Sequence, residues 1–392
     1  MFWFSFRKSE VPPVTGLVLP GGGARNAYQV GVLKAIADIL PEDNDKPFPV
    51  ITGTSSGALN AVLLATSAGQ YRQGVERLAG VWENFHVGKV FNADSWTALK
   101  SGLSWTLTMA TGGLGPKNPD SVLDNQPLRE LIESHYRFAR IQQYINNGDL
   151  RAVGVTTSGY SSGNSICYFQ GSKDITPWFR TRRCGIPHEI TIDHLMASIA
   201  IPIVFPAVRI GTEFHGDGTM RESAPLSPAL HLGANRLLII GVQSETESAP
   251  EAEDRNEYPS VGQISGYVLD TLFMDSLNAD IERMNRINLT ISETKNNQVE
   301  VNDTTLRPVE FLLITPSTDL RELVYKHINS APISVRVLLR GMGALNREGR
   351  PLISYLLFES GFCRELIELG YKDGLANKKE ILKLLCLENE AA

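Results

Sequence analysis

Gly53-Thr54-Ser55-Ser56-Gly57 places a serine between two glycines, after the apolar stretch 48–52 and before an apolar stretch that begins at Ala58. A G-x-S-x-G turn between a strand and a helix pushes its serine hydroxyl out of the chain, and the flanking glycines leave room for the sharp turn. The helix that follows favours negative charge at its start. The pattern alone is weak, because Gly159-Tyr160-Ser161-Ser162-Gly163 matches it too. That second copy lies in an expected hairpin turn with no helix behind it, so Gly/Ser turn chemistry accounts for it. Ser55 is the candidate nucleophile.

Gly21-Gly22-Gly23-Ala24-Arg25 also falls between a strand and a helix. Consecutive glycines leave backbone N–H groups free to face an anion. A dinucleotide site would need a third fingerprint glycine where Asn26 stands, and an acid at a strand end about twenty residues on. Glu42 and Asp43 instead fall in an expected loop. No Gly-Lys-Ser/Thr follows, so a P-loop is excluded. An oxyanion hole for an ester attacked by Ser55 fits better, and a plain tight turn is the alternative.

A nucleophilic serine needs a base. Seven histidines are available, and none carries a motif that marks it. Asp217, in His215-Gly216-Asp217-Gly218, stands between glycines where nothing crowds it. Beside Ser55 and shielded from water, it could accept the hydroxyl proton directly. The same residues also suit an ordinary Asp-Gly turn.

Positioning these groups requires a sheet. Residues 15–19 read as a buried strand, and Val32, Leu33, Ile36, Ile39 and Leu40 as a helix ending at Pro41; 48–52 is a second strand and 58–67 a second helix. Strand, helix, strand, helix opens a parallel α/β sheet. Further expectations are a helix over 70–84, a helix over 128–136, a hairpin from 151–157 and 165–170, a helix over 192–199 and a strand over 236–241. Residues 243–260 read as an acidic surface loop. A long helix over 264–287, a strand over 309–315 and helices from Asp319 onward complete the reading. The chain has 392 residues and a net charge of −6. It shows no basic stripe of the kind nucleic-acid binders carry. Cys167, Cys184, Cys363 and Cys386 are far apart, which argues against a zinc site or a disulfide framework and suggests a reducing, cytoplasmic compartment.

The residues Leu17 to Arg25, Tyr28 to Lys34, Gly53 to Gly57, Ala197-Ser-Ile-Ala-Ile-Pro202 with Phe205-Pro206, Asp217-Gly218, and Ala224 to Ala229 with Leu232-Gly233-Ala234 together resemble the patatin-like phospholipases. The resemblance spans roughly 14–316. It implies a three-layer α/β sandwich with a mainly parallel central sheet, extended here by C-terminal helices. It also implies a Ser–Asp dyad of Ser55 and Asp217, an oxyanion hole at Gly21, Gly22 and Gly23, supporting roles for Arg25, Gly53 and Gly57, and no metal or cofactor. The expected division is a flexible arm over 1–13, a catalytic domain over 14–318 and a helical extension over 319–392. Thr219 stands where the family often has Gly or Ala, and Asn26 where it often has Gly.

The expected activity is hydrolysis of lipid acyl esters, with a lipid or phospholipid as partner, no nucleic acid, and peripheral contact at the membrane surface. The rivals are a Ser-His-Asp hydrolase, a nucleotide-binding enzyme and a non-catalytic lipid-binding protein. For lipid access, residues 81–115 hold Trp82, Trp96 and Trp105, three of five tryptophans. With Phe2, Trp3 and Phe4 they suggest a mobile apolar flap, since tryptophan suits a wet–dry boundary. Ordinary core packing is the alternative.

Overall fold

The apolar run Thr15–Leu19 is buried on both faces as strand β1, as a strand inside a parallel sheet must be. Around it the computed structural model describes residues 13–91, 121, 123–244, 258–293, 299–301, 304–346 and 349–387. The further strands are β2 (Val50–Thr54), β3 (Ala152–Gly159), β4 (Ser165–Gly171), β5 (Trp178–Arg180), β6 (Arg183–Pro187), β7 (Val208–Ile210), β8 (Glu213–Asp217), β9 (Arg236–Ile240), β10 (Val299–Val301), β11 (Thr304–Leu306) and β12 (Glu310–Ile314). The helices are α1 (Ala27–Ile39), α2 (Ser56–Ala65), α3 (Tyr71–Glu83), α4 (Val87–Val90), α5 (Gln126–His135), α6 (Ala139–Asn147), α7 (Ile192–Ser198), α8 (Ser227–His231), α9 (Val261–Asp270) and α10 (Ser276–Ser292). After β12 come α11 (Leu320–His327), α12 (Ile333–Gly341), α13 (Arg350–Leu356), α14 (Ser360–Ala376) and α15 (Lys378–Leu384).

The central sheet runs β12-β9-β1-β2-β3-β4-β6-β5, with β8 added to β3 and β7 to β8. From β12 to β3 every pair is parallel. Successive strand residues face opposite sides, and both sides are covered. Leu17, Leu19 and Ile51 join α1, α2, α3, α13 and α14 in one apolar core. Val18, Val50, Leu237 and Ile239 join α8 and α10 in a second. This helix–sheet–helix layering is the expected α/β sandwich.

Several expected elements shift. Strand β2 begins at Val50 rather than residue 48, because Pro49 has no N–H for the ladder and its carbonyl instead accepts from Arg151 and Ala152. The expected helix 264–287 is longer: a π-helical turn, Thr271–Asp275, joins α9 to α10. The hairpin β7–β8, strands β5 and β6, and helix α6 carry no expectation from sequence. Residues 1–12 and 245–257 lie outside the described residues.

The helices after Asp319 pack on the sheet's own first helix. α14 crosses α1 at two glycines: a Cβ on Gly31 would fall 2.0 Å from the Ile367 carbonyl, and one on Gly370 would fall 2.1 Å from that of Tyr28. The bare backbones permit this closeness. Tyr28 Oη donates to Asp373 Oδ2 at 3.0 Å across the same crossing.

Candidate active site

Two strands run head-on into one point beside β3. Parallel β2 ends with Thr54 opposite Thr156. Antiparallel β8 arrives from the other direction and ends with Asp217 opposite Thr157. The residue after Thr54 is Ser55, so register alone delivers the serine and the aspartate to each other. Ser55 Oγ donates to Asp217 Oδ2 at 2.7 Å. They are 3% and 1% exposed, so this hydrogen bond is closed to bulk water.

Ser55 has φ 54° and ψ −132°, a left-handed conformation rare for a residue with a side chain. It is the N-cap of α2, whose first-turn Ala58 N–H donates to its carbonyl at 2.9 Å. The turn depends on Gly57, where a Cβ would lie 2.0 Å from the Leu19 carbonyl oxygen. A Cβ on Gly53 would lie 2.4 Å from the Gly57 carbonyl oxygen. Both sequence-predicted supporting glycines therefore sit inside the turn.

Both polar residues hang from the end of α7. Ser55 N–H donates to Ser198 Oγ at 2.9 Å, and Ser198 Oγ donates onward to the Thr156 carbonyl at 2.7 Å. Asp217 N–H donates to the Ala200 carbonyl at 2.8 Å. Sequence reasoning missed Ser198. Its signal was present in the Ala197-Ser-Ile-Ala-Ile-Pro202 motif, which carried the resemblance but was given no chemistry.

Asp217 Oδ1 accepts from Thr219 twice, from N–H at 2.9 Å and Oγ1 at 2.7 Å. Burial pushes its carboxyl up to about 6, and the hydrogen bonds from Ser55 and Thr219 pull the other way. Behind it lies Glu222, buried, accepting from Thr54 Oγ1 at 2.8 Å and pushed up to about 7 chiefly by burial. Sequence reasoning did not single out Glu222.

The Gly-rich segment leaves β1 beside this elbow, since Leu19 pairs with Gly53. Gly21 lies under the Thr219 methyl and the Phe273 ring, and the Gly22 carbonyl accepts from Arg25 N–H at 3.1 Å. Gly23, with φ 56°, lies against the Tyr355 carbonyl. Buried side chains fix the loop's root. Asn26 Nδ2 and Gln29 Nε2 donate to the Pro20 carbonyl at 2.9 and 3.0 Å. Asn60 Nδ2 donates to Gln29 Oε1, and Trp82 Nε1 donates to Asn60 Oδ1. Arg25 is fully buried; its Nε donates to Ser354 Oγ at 2.8 Å, and its guanidinium lies 3.9 Å over the Tyr355 ring and 3.5 Å from Asp270.

Trp82 corrects the flap expectation. It is 1% exposed on the inner side of α3, stacked on Phe85, so it belongs to the core and to the polar chain behind the loop. Trp96, Trp105, Phe2, Trp3 and Phe4 lie outside the described residues. Ser161 is exposed in the turn between β3 and β4. All seven histidines are described, and Ser55 Oγ is hydrogen-bonded to none. His194 and His215 cluster with His188 around Tyr168, and His215 Nδ1 lies 3.1 Å from Thr157 Oγ1. Among the described residues no group of three His, Cys, Asp or Glu could hold a metal ion, and no helix is long and apolar enough to cross a membrane.

Residues 17–230 match the family described as patatin-like phospholipase. Over 73 residues the chain is 41% identical to lysophospholipase nte1 of Aspergillus terreus, a stretch covering 17% of this chain and 4% of that protein. Among solved structures, VipD from Legionella pneumophila is 12% identical with a TM-score of 0.36, covering 95% of this chain and 67% of that one. The type III effector protein ExoU is 15% identical with a TM-score of 0.33, covering 91% and 54%. The family match takes in both the Gly-rich loop and the Ser55–Asp217 pair, and the chain belongs to the patatin-like phospholipase family.

Proposed function

We propose that this protein is a serine hydrolase of lipid acyl esters, with Ser55 as nucleophile and Asp217 as its general base. The observation that carries the reading is the 2.7 Å hydrogen bond from a serine in a strained strand-to-helix turn to a buried carboxylate. A carboxyl lifted to about 6 is still mostly ionised at neutral pH, and it is a better base than an ordinary aspartate. Thr219 occupies Oδ1 and leaves Oδ2 for the proton.

Ser55 Oγ attacks the ester carbonyl carbon while its proton passes to Asp217 Oδ2. The backbone N–H groups of Gly21, Gly22 and Gly23 receive the oxyanion, as preformed donors in a dry site do most effectively. The intermediate collapses, the alcohol leaves with the proton from Asp217, and Ser55 holds the acyl group. Asp217 then takes a proton from water, whose oxygen attacks the acyl carbon; the acyl–Oγ bond breaks, Asp217 returns the proton to Ser55 Oγ, and the fatty acid is released. No metal or cofactor takes part.

Tyr160, Ile203, Phe214 and Met220 support a lipid substrate. They are 52%, 66%, 52% and 39% exposed on segments adjoining Asp217. Exposed apolar side chains suit an interface more than open water, and peripheral contact with a membrane surface is part of the proposal, as is a cytoplasmic setting. The proposed division keeps a catalytic unit over 14–318 whose Gly-rich loop is backed by the 319–392 extension. The test is a hydrolysis screen of purified protein against p-nitrophenyl esters, lysophospholipids, diacyl phospholipids and triglycerides, with mass detection of products. Ser55→Ala should abolish turnover and fluorophosphonate labelling while Ser161→Ala retains both. Wild-type protein that neither turns over any ester nor reacts with fluorophosphonate would be a lipid-binding protein instead.

A further inference from the structure

A cavity of about 340 Å³ opens between α11, α12 and α13, away from Ser55. Its wall is apolar, with Val324, Ile328, Val337 and Ile353 among the lining residues. Arg336 and Arg340 also line it. They are four apart on α12, so the two guanidinium groups share one helix face a turn apart, where like charges repel. Among the described residues neither guanidinium has a carboxylate partner, and Arg336 Nε is buried without a hydrogen bond. Ile333 and Val337 extend the apolar wall outward, 70% and 63% exposed.

We propose that this groove is a binding site for a free long-chain fatty acid, separate from the candidate active site. Two convergent arginines and an apolar trough match a carboxylate joined to one alkyl chain: the carboxylate relieves the repulsion between Arg336 and Arg340, and the chain covers Val337 and Ile353. Ligand cavities commonly run from about 300 to about 1,000 Å³, and 340 Å³ is the small end of that range, which suits one acyl chain rather than two. One helix links the site to the Gly-rich loop. Ile353 lines the groove, and the next two residues, Ser354 and Tyr355, hold Arg25. The proposal goes beyond hydrolysis and does not need it.

The experiment is photolabelling of the full chain with a diazirine-bearing hexadecanoic acid, followed by digestion and peptide mapping by mass spectrometry. Label is expected on peptides within 324–353. It should fall at least tenfold in the Arg336→Gln/Arg340→Gln double variant, and also in Val337→Asp, where a charge placed on an exposed position opposes the ligand. The matching diazirine alcohol, which lacks the charge, should label these peptides at least tenfold less than the acid. Short-ester hydrolysis should be unchanged in all variants, and the melting temperature should not fall. Equal labelling of the double variant, label found only elsewhere, or equal labelling by acid and alcohol would overturn the proposal. So would sedimentation showing a dimer that Val337→Asp dissociates, since a second copy would then be the occupant. Because the map needs no turnover, an inactive protein would count against the hydrolase and not against this site.

Discussion

Thr219 holds Asp217 by two hydrogen bonds to one carboxylate oxygen, at 2.9 and 2.7 Å, and the other oxygen receives Ser55. The residue that departs from the common family pattern thus braces the proposed base. Hydrogen bonds to a carboxylate favour its charged form, so Thr219→Val should raise the Asp217 pKa above about 6. The acidic limb of kcat/KM against pH should move up by about half a unit to one unit, with activity near neutrality falling by up to about twofold. Thr219→Ser, which keeps the hydroxyl, should restore the profile.

Burial of Asp217 and Glu222 has a cost that depends on pH. Both carboxyls are raised, from 3.8 to about 6 and from 4.5 to about 7. The folded chain therefore binds these protons more tightly than the unfolded chain. Their stabilising contribution is complete at low pH and is lost as pH rises through the window from about 4 to about 7. Asp217→Asn and Glu222→Gln should each raise stability near pH 8 by about 1–3 kcal/mol, the gain vanishing below about pH 4. Urea titrations across pH measure this, and a gain that persists in acid would contradict it.

The left-handed backbone at Ser55 also opposes folding. Ser55→Ala keeps a Cβ at φ 54° and loses the hydrogen bond to the buried Asp217. Ser55→Gly loses the same hydrogen bond but sheds the Cβ, and should be more stable than Ser55→Ala by about 1 kcal/mol. Both should lose hydrolysis. Thermal unfolding of the three proteins side by side separates the strain from the chemistry.

Gly57 and Gly80 should respond oppositely to alanine. A Cβ at Gly57 meets the Leu19 carbonyl at 2.0 Å, whereas one at Gly80, exposed on α3, meets nothing within 4 Å. Gly57→Ala should cost about 3 kcal/mol or more. Gly80→Ala should gain about 0.5–1 kcal/mol through helix propensity. Denaturant midpoints report both.

How far the site could be read in advance depended on sequence distance. Ser55 was legible because everything that makes its turn lies within residues 48–67: an apolar strand, two glycines and an apolar helix. Asp217 was legible as a residue but not as part of a strand. Val208–Ile210 and Glu213–Asp217 lack a sustained alternating run; Glu213–Asp217 is placed by pairing with β3, more than fifty residues earlier, and Val208–Ile210 by pairing with Glu213–Asp217 in turn. Trp82 was legible and misassigned, since Tyr71, Val75, Leu78, Ala79 and Trp82 already spell the buried face of α3. The grip of Ser354 on Arg25 joins residues 329 apart, and no local pattern announces it.

That last separation sets a timetable for biosynthesis. Ribosomes add about 5–20 residues per second, so Arg25 is translated roughly 15–65 s before Ser354. Through that interval the nascent chain carries its glycine loop without Tyr355 beneath it, and α1 without the crossing at Gly370. The glycine loop therefore acquires its backing only after residues 354 and 355 have been made, long after the strand and helix that flank it.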